Sequence, residues 1–198
     1  MPPGIKNEPY SLEVSRKLVE ADYDRAAKEL GVDVASIKAV AQVESRGSGF
    51  LGDGRVKILY EGHKFSKATD RQYDKTHPTI SYKGLTSKYY KGNEGEYSRY
   101  KMASSLNEEA AMESSSWGKF QIMGFNYKAA GYSTVQKFVN AMHVSESNHL
   151  DAFVSFIKTT GLDIPLKSRS WTEFAKRYNG KKYVTIQHNR SLHPIFSE

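Results

Sequence analysis

Glu44 sits where a carboxylate is least expected. A helical stripe runs Ile37, Val40, Ala41, and its next member at i+7 is Glu44, so the periodicity assigns an acid to an apolar face. The position also falls in the last turn of the predicted helix, where the negative end of the dipole disfavours a second negative charge. Burial and dipole both raise the expected pKa. A carboxyl group that keeps its proton near neutral pH is what a general acid needs. The same spacing also allows Glu44 to turn to the helix edge and pair with Arg46 or a lysine. Hydrolysis of a glycosidic bond uses two carboxyl groups, one to protonate the leaving oxygen and one to activate water or steady the cation. Two acids follow in the next segment. Asp53 belongs to an Asp53-Gly54 turn, where its side chain hydrogen-bonds the local backbone, and it reads as structural. Glu61 ends the strand-like run Arg55 to Tyr60 and could meet Glu44 across a cleft; as a lone observation it is equally an ordinary exposed carboxylate.

Other chemistries find little support. The chain has no cysteine, which excludes disulfides, thiolate catalysis, iron–sulfur clusters and cysteine-based zinc sites. Six histidines are scattered, and His143 and His149 do not have the i, i+4 spacing of a helical metal pair, so no metal and no cofactor is expected. No Gly-x-Ser-x-Gly elbow is present, and the glycines near 47–54 lack the Lys-Ser/Thr ending of a phosphate-binding loop.

The elements that must position Glu44 and Glu61 are mainly helical. Asp22 to Leu30 forms one helix with Gly31 as its stop, and Asp33 caps a second from Val34 to about Ser45. The 55–60 run then supplies one small β element. Residues 63–100 are polar, rich in lysine and tyrosine, and weakly periodic, as expected of a long excursion over the surface or over a cleft. Capping boxes at Ser105–Glu108, Ser133–Gln136 and Ser170–Glu173 open further helices. Their stripes (Val135, Phe138, Val139, Met142; Leu150, Phe153, Val154, Ile157; Trp171, Phe174, Ala175, Tyr178) are core faces. Residues 1–11 read as a loose arm, 12–180 as one domain, and 181–198 as a basic tail. With 198 residues the chain is long enough to bury roughly 70% of its unfolded surface in one core. Its 29 Lys+Arg against 22 Asp+Glu give a net charge of +7, which favours an acidic partner or simply aids solubility. No stretch is apolar enough for a membrane helix, and the N-terminus lacks the apolar core of a signal peptide.

Several segments carry a resemblance. Ala39-Val40-Ala41-Gln42-Val43-Glu44-Ser45-Arg46-Gly47-Ser48-Gly49-Phe50, Lys57-Ile58-Leu59-Tyr60-Glu61-Gly62-His63, Ser115 to Asn126 (with Trp117-Gly118-Lys119-Phe120-Gln121-Ile122-Met123), Ala129 to Tyr132, the 150–158 helix and Phe174 to Gly180 resemble the N-acetylmuramidase domain of bacteriophage endolysins. The likeness extends over about residues 20–180. It implies a lysozyme-like α+β fold, mainly α, as a single helical domain with a small β-hairpin beside the active-site cleft. It also implies cleavage of peptidoglycan between N-acetylmuramic acid and N-acetylglucosamine. By that resemblance Glu44 is the catalytic acid and Glu61 the second acidic position. Residues 116–123 line the sugar cleft, Gln121 is a substrate or structural contact, and Tyr178 and Asn179 lie near the cleft. Gln121 has donor and acceptor for an N-acetyl group or a water, and Trp117, Tyr60 and Tyr178 have ring faces suited to sugars, though each also suits a core. Two departures stand out: Gly62 occupies a position where the family often has Arg, and Lys181 to Thr185 replaces the usual continuation after Asn-Gly.

The reading is therefore a peptidoglycan-degrading endolysin, monomeric, made in the host cytoplasm and acting on the wall in the periplasm. The alternatives are a lytic transglycosylase working with Glu44 alone and a non-catalytic wall-binding protein. Peptidoglycan strands are the expected partner, and nucleic acid is not. The tail, with Lys181, Lys182 and Arg190 before an apolar end, either reaches anionic outer-membrane lipid or packs back on the domain.

Overall fold

The computed structural model describes residues 16–45 and 47–179, with the side chains of residues 43–45 and of Asn179 outside that description. The expected N-terminal arm and basic tail thus lie outside the described residues.

The first two helices follow from their caps. Helix α1 (Glu20–Leu30) ends at Gly31, whose φ of 66° is the left-handed conformation a glycine adopts cheaply. Helix α2 (Val34–Ser45) starts at Asp33, whose carboxylate accepts from the Ser36 amide at 2.7 Å and the Ser36 hydroxyl at 2.9 Å. Its stripe of Ile37, Val40 and Ala41 is buried, as the spacing predicts. After α2 the chain turns through Asp53 and Gly54 into strand β1 (Ile58–Tyr60). Asp53 is structural: its carboxylate takes the Arg55 amide at 3.0 Å and the Arg55 guanidinium at 2.7 Å.

The turn closes a short local ladder, with the Leu51 amide donating to Arg55 O and the Lys57 amide to Gly49 O, both at 2.8 Å. Across it Phe50 and Val56 form a β bridge. The sheet is built over a long range: β1 pairs antiparallel with β2 (Ser115–Trp117), which pairs with β3 (Ile122–Met123). The hairpin proper is β2–β3, in the segment whose sequence signalled a cleft lining. Its turn needs two left-handed residues, Gly118 and Gln121, at φ 69° and 51°.

Between β1 and β2 the chain makes helix α3 (Gly62–Ala68), an irregular stretch from 69 to 94, helix α4 (Gly95–Leu106) and helix α5 (Glu108–Glu113). Helices α6 (Val135–Met142), α7 (Glu146–Thr159), α8 (Asp163–Lys167) and α9 (Trp171–Asn179) complete the described residues. The predicted stripes of α6 and α7 are wholly buried. Two expected caps shift. Helix α5 is capped by Asn107, which accepts from the Ala110 amide, while Ser105 belongs to the end of α4. Helix α6 is capped by Thr134, one residue after Ser133. In both places a neighbouring Asn or Thr offers the same acceptor in better register.

The main core joins α1, α2, α6, α7 and the sheet through residues such as Leu30, Ile37, Ile58, Phe138 and Phe153. A second, smaller cluster of Tyr60, Phe65, Ile80, Ala103, Ala110 and Ala111 lies beneath the 69–94 excursion. Glu61, the residue after β1, stands beside this second cluster.

Candidate active site

Glu61 begins where β1 ends. Its amide donates to Ser114 O at 2.9 Å, continuing the β1–β2 pairing by one residue, and its own carbonyl accepts from the Lys64 and Phe65 amides to start α3. Backbone bonds on both sides therefore fix its Cα. The side chain is buried, 1% exposed. One oxygen, Oε2, accepts from the Tyr90 hydroxyl at 2.5 Å and lies 3.4 Å from His63 Nδ1. The expectation of an ordinary exposed carboxylate is thus excluded by the geometry: this acid is buried and enclosed by polar neighbours.

Tyr90 comes from the excursion that the sequence left unread. Burial, and after it the hydrogen bond to Glu61, push the Tyr90 phenol upward, so it stays a donor. The segment carrying it is tied down by a buried ion pair on α4. Glu96 accepts from the Lys91 and Gly92 amides at 2.6 and 3.1 Å and pairs with Arg99 at 2.8 Å. Arg99 in turn donates to Tyr60 O at 3.0 Å and Tyr82 Oη at 3.2 Å, and its guanidinium lies over the rings of Tyr60 and Tyr90. One cation therefore joins β1, the excursion and α4 directly behind Glu61.

Gly62 explains itself. A Cβ there would stand 2.3 Å from the Tyr82 ring and 2.4 Å from Ile80 O. The excursion packs onto this glycine, so an arginine of the kind common in the resembling family has no room.

Glu44 closes α2 within its last turn; its side chain, with those of Val43 and Ser45, lies outside the description, as does Arg46. What holds the loop after α2 is described. The Gly49 amide donates to Glu146 at 2.6 Å and the Leu18 amide to the same carboxylate at 3.3 Å, while Lys119 Nζ pairs with Glu146 at 3.2 Å and donates to Gly47 O at 2.9 Å. Burial alone would raise the Glu146 pKa, but the Gly49 amide and the Lys119 ammonium outweigh it and hold the carboxyl below its ordinary value. His149, one turn along α7, accepts from the Lys119 amide through Nδ1 at 3.0 Å and meets Met142 O at 2.7 Å through Nε2. Its ring fills the gap between Gly49 and Gly118, where a Cβ on either would come within 2.5 and 2.9 Å of it. The start of α7 thus clamps the loop that follows Glu44 to the β2–β3 turn.

The other expected substrate contacts divide. Tyr60 and Trp117, at 0% and 1% exposure, are core residues with no ring face left for a sugar. The Tyr60 hydroxyl donates to Ile80 O, and the Trp117 indole donates to Met112 O while its ring meets Tyr100 edge-on. Both point inward: Trp117 is paired across the strands with Ile58, and Tyr60, two residues after Ile58, shares that face. Gln121 braces its own turn: its amide donates to Gly118 O at 2.9 Å and Lys57 O at 3.3 Å and its oxygen accepts from Ser116 at 2.9 Å. Tyr178 is half-buried among Phe153, Phe156 and Phe174 and donates to Phe120 O at 2.8 Å, fastening α9 to the same turn. The Asn179 side chain lies outside the description.

Tyr90, Glu96, Arg99 and Glu146 were missed by sequence reasoning. The tyrosine-rich character of the excursion was the available signal for Tyr90; the others lie far from their partners in sequence and gave none.

Glu61, the second acidic position by the resemblance, is thus an enclosed carboxylate at the end of β1. The family model for N-acetylmuramidase matches residues 33–198, most of the chain. The chain belongs to the N-acetylmuramidase family. Such a muramidase is a glycoside hydrolase whose substrate is peptidoglycan. Among solved structures, the muramidase is similar to the crystal structure of the Burkholderia AP3 phage endolysin, at 42% identity and a TM-score of 0.81 over 91% of this chain and 71% of that one. No curated protein matches the chain. The likeness to AP3 endolysin settles the fold as lysozyme-like, mainly α with a small antiparallel sheet.

Proposed function

We propose that this muramidase is a phage endolysin that hydrolyses the bond between N-acetylmuramic acid and N-acetylglucosamine, with Glu44 as the acid and Glu61 as the second carboxylate. Membership in the N-acetylmuramidase family, combined with the built enclosure of Glu61 at the end of β1, supports this reading. Glu44, protonated, donates to the leaving glycosidic oxygen as the C1–O bond breaks. Glu61, ionised, steadies the positive charge that develops on the sugar ring or takes a proton from the attacking water. Water then forms the new bond to C1 and loses its proton, either to Glu61 or to the Glu44 carboxylate, and exchange with solvent restores the starting protonation of both. Tyr90 acts through Glu61 as a positioning residue, because its hydroxyl fixes one carboxylate oxygen.

Synthesis in the host cytoplasm and action beyond the inner membrane complete the proposal. Among the described residues no helix is long and apolar enough to cross a membrane.

The reading is tested by digesting purified peptidoglycan and weighing the fragments. Hydrolysis gives disaccharide units with free reducing ends, one water heavier than the 1,6-anhydro products of a transglycosylase; anhydro products would overturn the hydrolase assignment. Glu44→Gln is expected to reduce reducing-end release by about a hundredfold to ten-thousandfold while far-UV circular dichroism stays unchanged, the scale at which loss of a general acid is felt. A folded variant that keeps most of its activity overturns the role of Glu44.

A further inference from the structure

Beside Glu61 lies a cavity of about 400 Å³ that the proposed chemistry does not use. Its walls include His63, Lys67, Asp70, Arg71 and Lys83. His63 is also the residue whose Nδ1 stands 3.4 Å from the Glu61 carboxylate, so cavity and carboxylate share a wall. Three side chains here carry fixed positive charge and one carries negative charge. Among the described residues, none of Lys67, Asp70, Arg71 and Lys83 is engaged in an ion pair. Elsewhere on this surface exposed charges do find partners, for example Lys38 with Glu20 and Lys167 with Asp163.

The backbone gathers these exposed groups around one depression. After α3 the chain takes two successive left-handed residues, Asp70 at φ 50° and Arg71 at φ 62°, a conformation that side-chain-bearing residues adopt rarely. The Arg71 amide donates to Ser66 O at 2.7 Å, folding the turn back against the last turn of α3. Lys83 arrives from the other side, directly after Tyr82, which is seated on Gly62. The same glycine that leaves no room for a side chain beside Glu61 therefore brings a cation to the far wall of the cavity.

We infer that this cavity receives the peptide stem of the N-acetylmuramic acid residue next to the scissile bond, its carboxylates meeting Arg71, Lys83 and Lys67 and a free amine meeting Asp70. The inference rests on the muramidase reading: a glycan strand lying past Glu61 carries, on each muramic acid, a lactyl-linked peptide rich in carboxylates. Such a group projects away from the glycan, and the cationic cavity shares the His63 wall with Glu61. The peptide's charges find partners already unpaired, so no existing ion pair is broken on binding.

The test compares two substrates. One is purified peptidoglycan with intact stems; the other is the same glycan stripped of its peptides by an amidase. In the full-length protein, Arg71→Gln/Lys83→Gln is expected to raise KM on the intact substrate about fivefold, as two solvent-screened ion pairs would, with kcat and turnover of stripped glycan unchanged. A control with the same loss of charge, Lys101→Gln/Lys176→Gln, should match the parent on both. An equal effect on both substrates, an equal effect of the control pair, or no effect overturns the inference. Should the parent protein cleave neither glycan, the muramidase reading fails instead. The cavity is then decided by adding soluble muramyl tripeptide and following the amide resonances of Arg71 and of Gly84, which also lines the cavity: shifts that disappear in the double variant support it, and their absence in the parent overturns it.

Discussion

Three acids within the segment from α2 to α3 meet different fates. Asp53 spends its carboxylate on Arg55 and its own turn, and Glu44 closes a helix. Glu61 is enclosed, with a tyrosine hydroxyl on one oxygen. A hydrogen bond to an ionised acceptor is worth about 1.5–3 kcal/mol when its loss leaves the charge unsatisfied. If Tyr90 positions Glu61 for the transition state, Tyr90→Phe lowers kcat about tenfold and leaves KM within about twofold, because substrate binding does not use the hydroxyl. Steady-state kinetics on soluble glycan fragments check this. A variant in which KM rises and kcat holds would show that Tyr90 touches substrate directly and does not act through Glu61. Gln121 and Tyr178 serve the site in another way, by bracing the hairpin turn from inside and from α9.

At the scale of elements, the 69–94 excursion is held to β1 and α4 by Arg99 and Glu96, which are 3% and 0% exposed. Desolvating two charges is costly, and removing one partner strands the other without water. Arg99→Ala is therefore expected to destabilise by about 3–5 kcal/mol, read from the midpoint of urea unfolding. Arg99→Met/Glu96→Gln should cost clearly less, since no charge is left buried alone. If the single variant costs under about 1 kcal/mol, the pair does not anchor the excursion. The other structural hinge is the start of α7, where Glu146 and His149 hold the loop after α2 against the β2–β3 turn. Two elements distant in sequence thereby flank one site with little slack.

The whole molecule should feel acid through these same two residues. Burial holds the His149 imidazole down to about 4, against an ordinary value of 6.5. Between those values the unfolded chain binds a proton that the folded one refuses, so stability falls as pH falls from about 6.5 to 4, by up to about 3 kcal/mol. Glu146 adds to the loss at lower pH: its depressed pKa supplies stability above its ordinary 4.5 that fades as pH drops through the folded value. Thermal unfolding across pH 4 to 7 is expected to show Tm falling on the acid side. His149→Phe should flatten the curve between pH 6.5 and 4. A parent curve already flat in that window would refute the assignment.

Much of the frame was legible from the sequence alone. Helices α1, α2, α6 and α7 announced themselves because a helix is a local object: its stripe, cap and stop fall within a dozen residues of one another, and Asp33, Gly31 and the Phe138 and Phe153 faces behave as their spacing requires. The family motifs, and with them Glu44 and Glu61 as the acids to consider, were legible for the same reason, each being a short run of neighbours. The tertiary structure decided everything that depends on pairs far apart in the chain. It paired β1 with β2 beyond the short ladder that the Asp53-Gly54 turn closes, placed Tyr60 and Trp117 in the core, and brought Tyr90, 29 positions away, onto Glu61. It also gave Gly62 its reason, since only a residue without a side chain lets Tyr82 and Ile80 close over that position. Sequence spacing encodes which face a residue lies on; whether that face meets solvent, sugar or another strand is fixed only when distant segments pack together and exclude water.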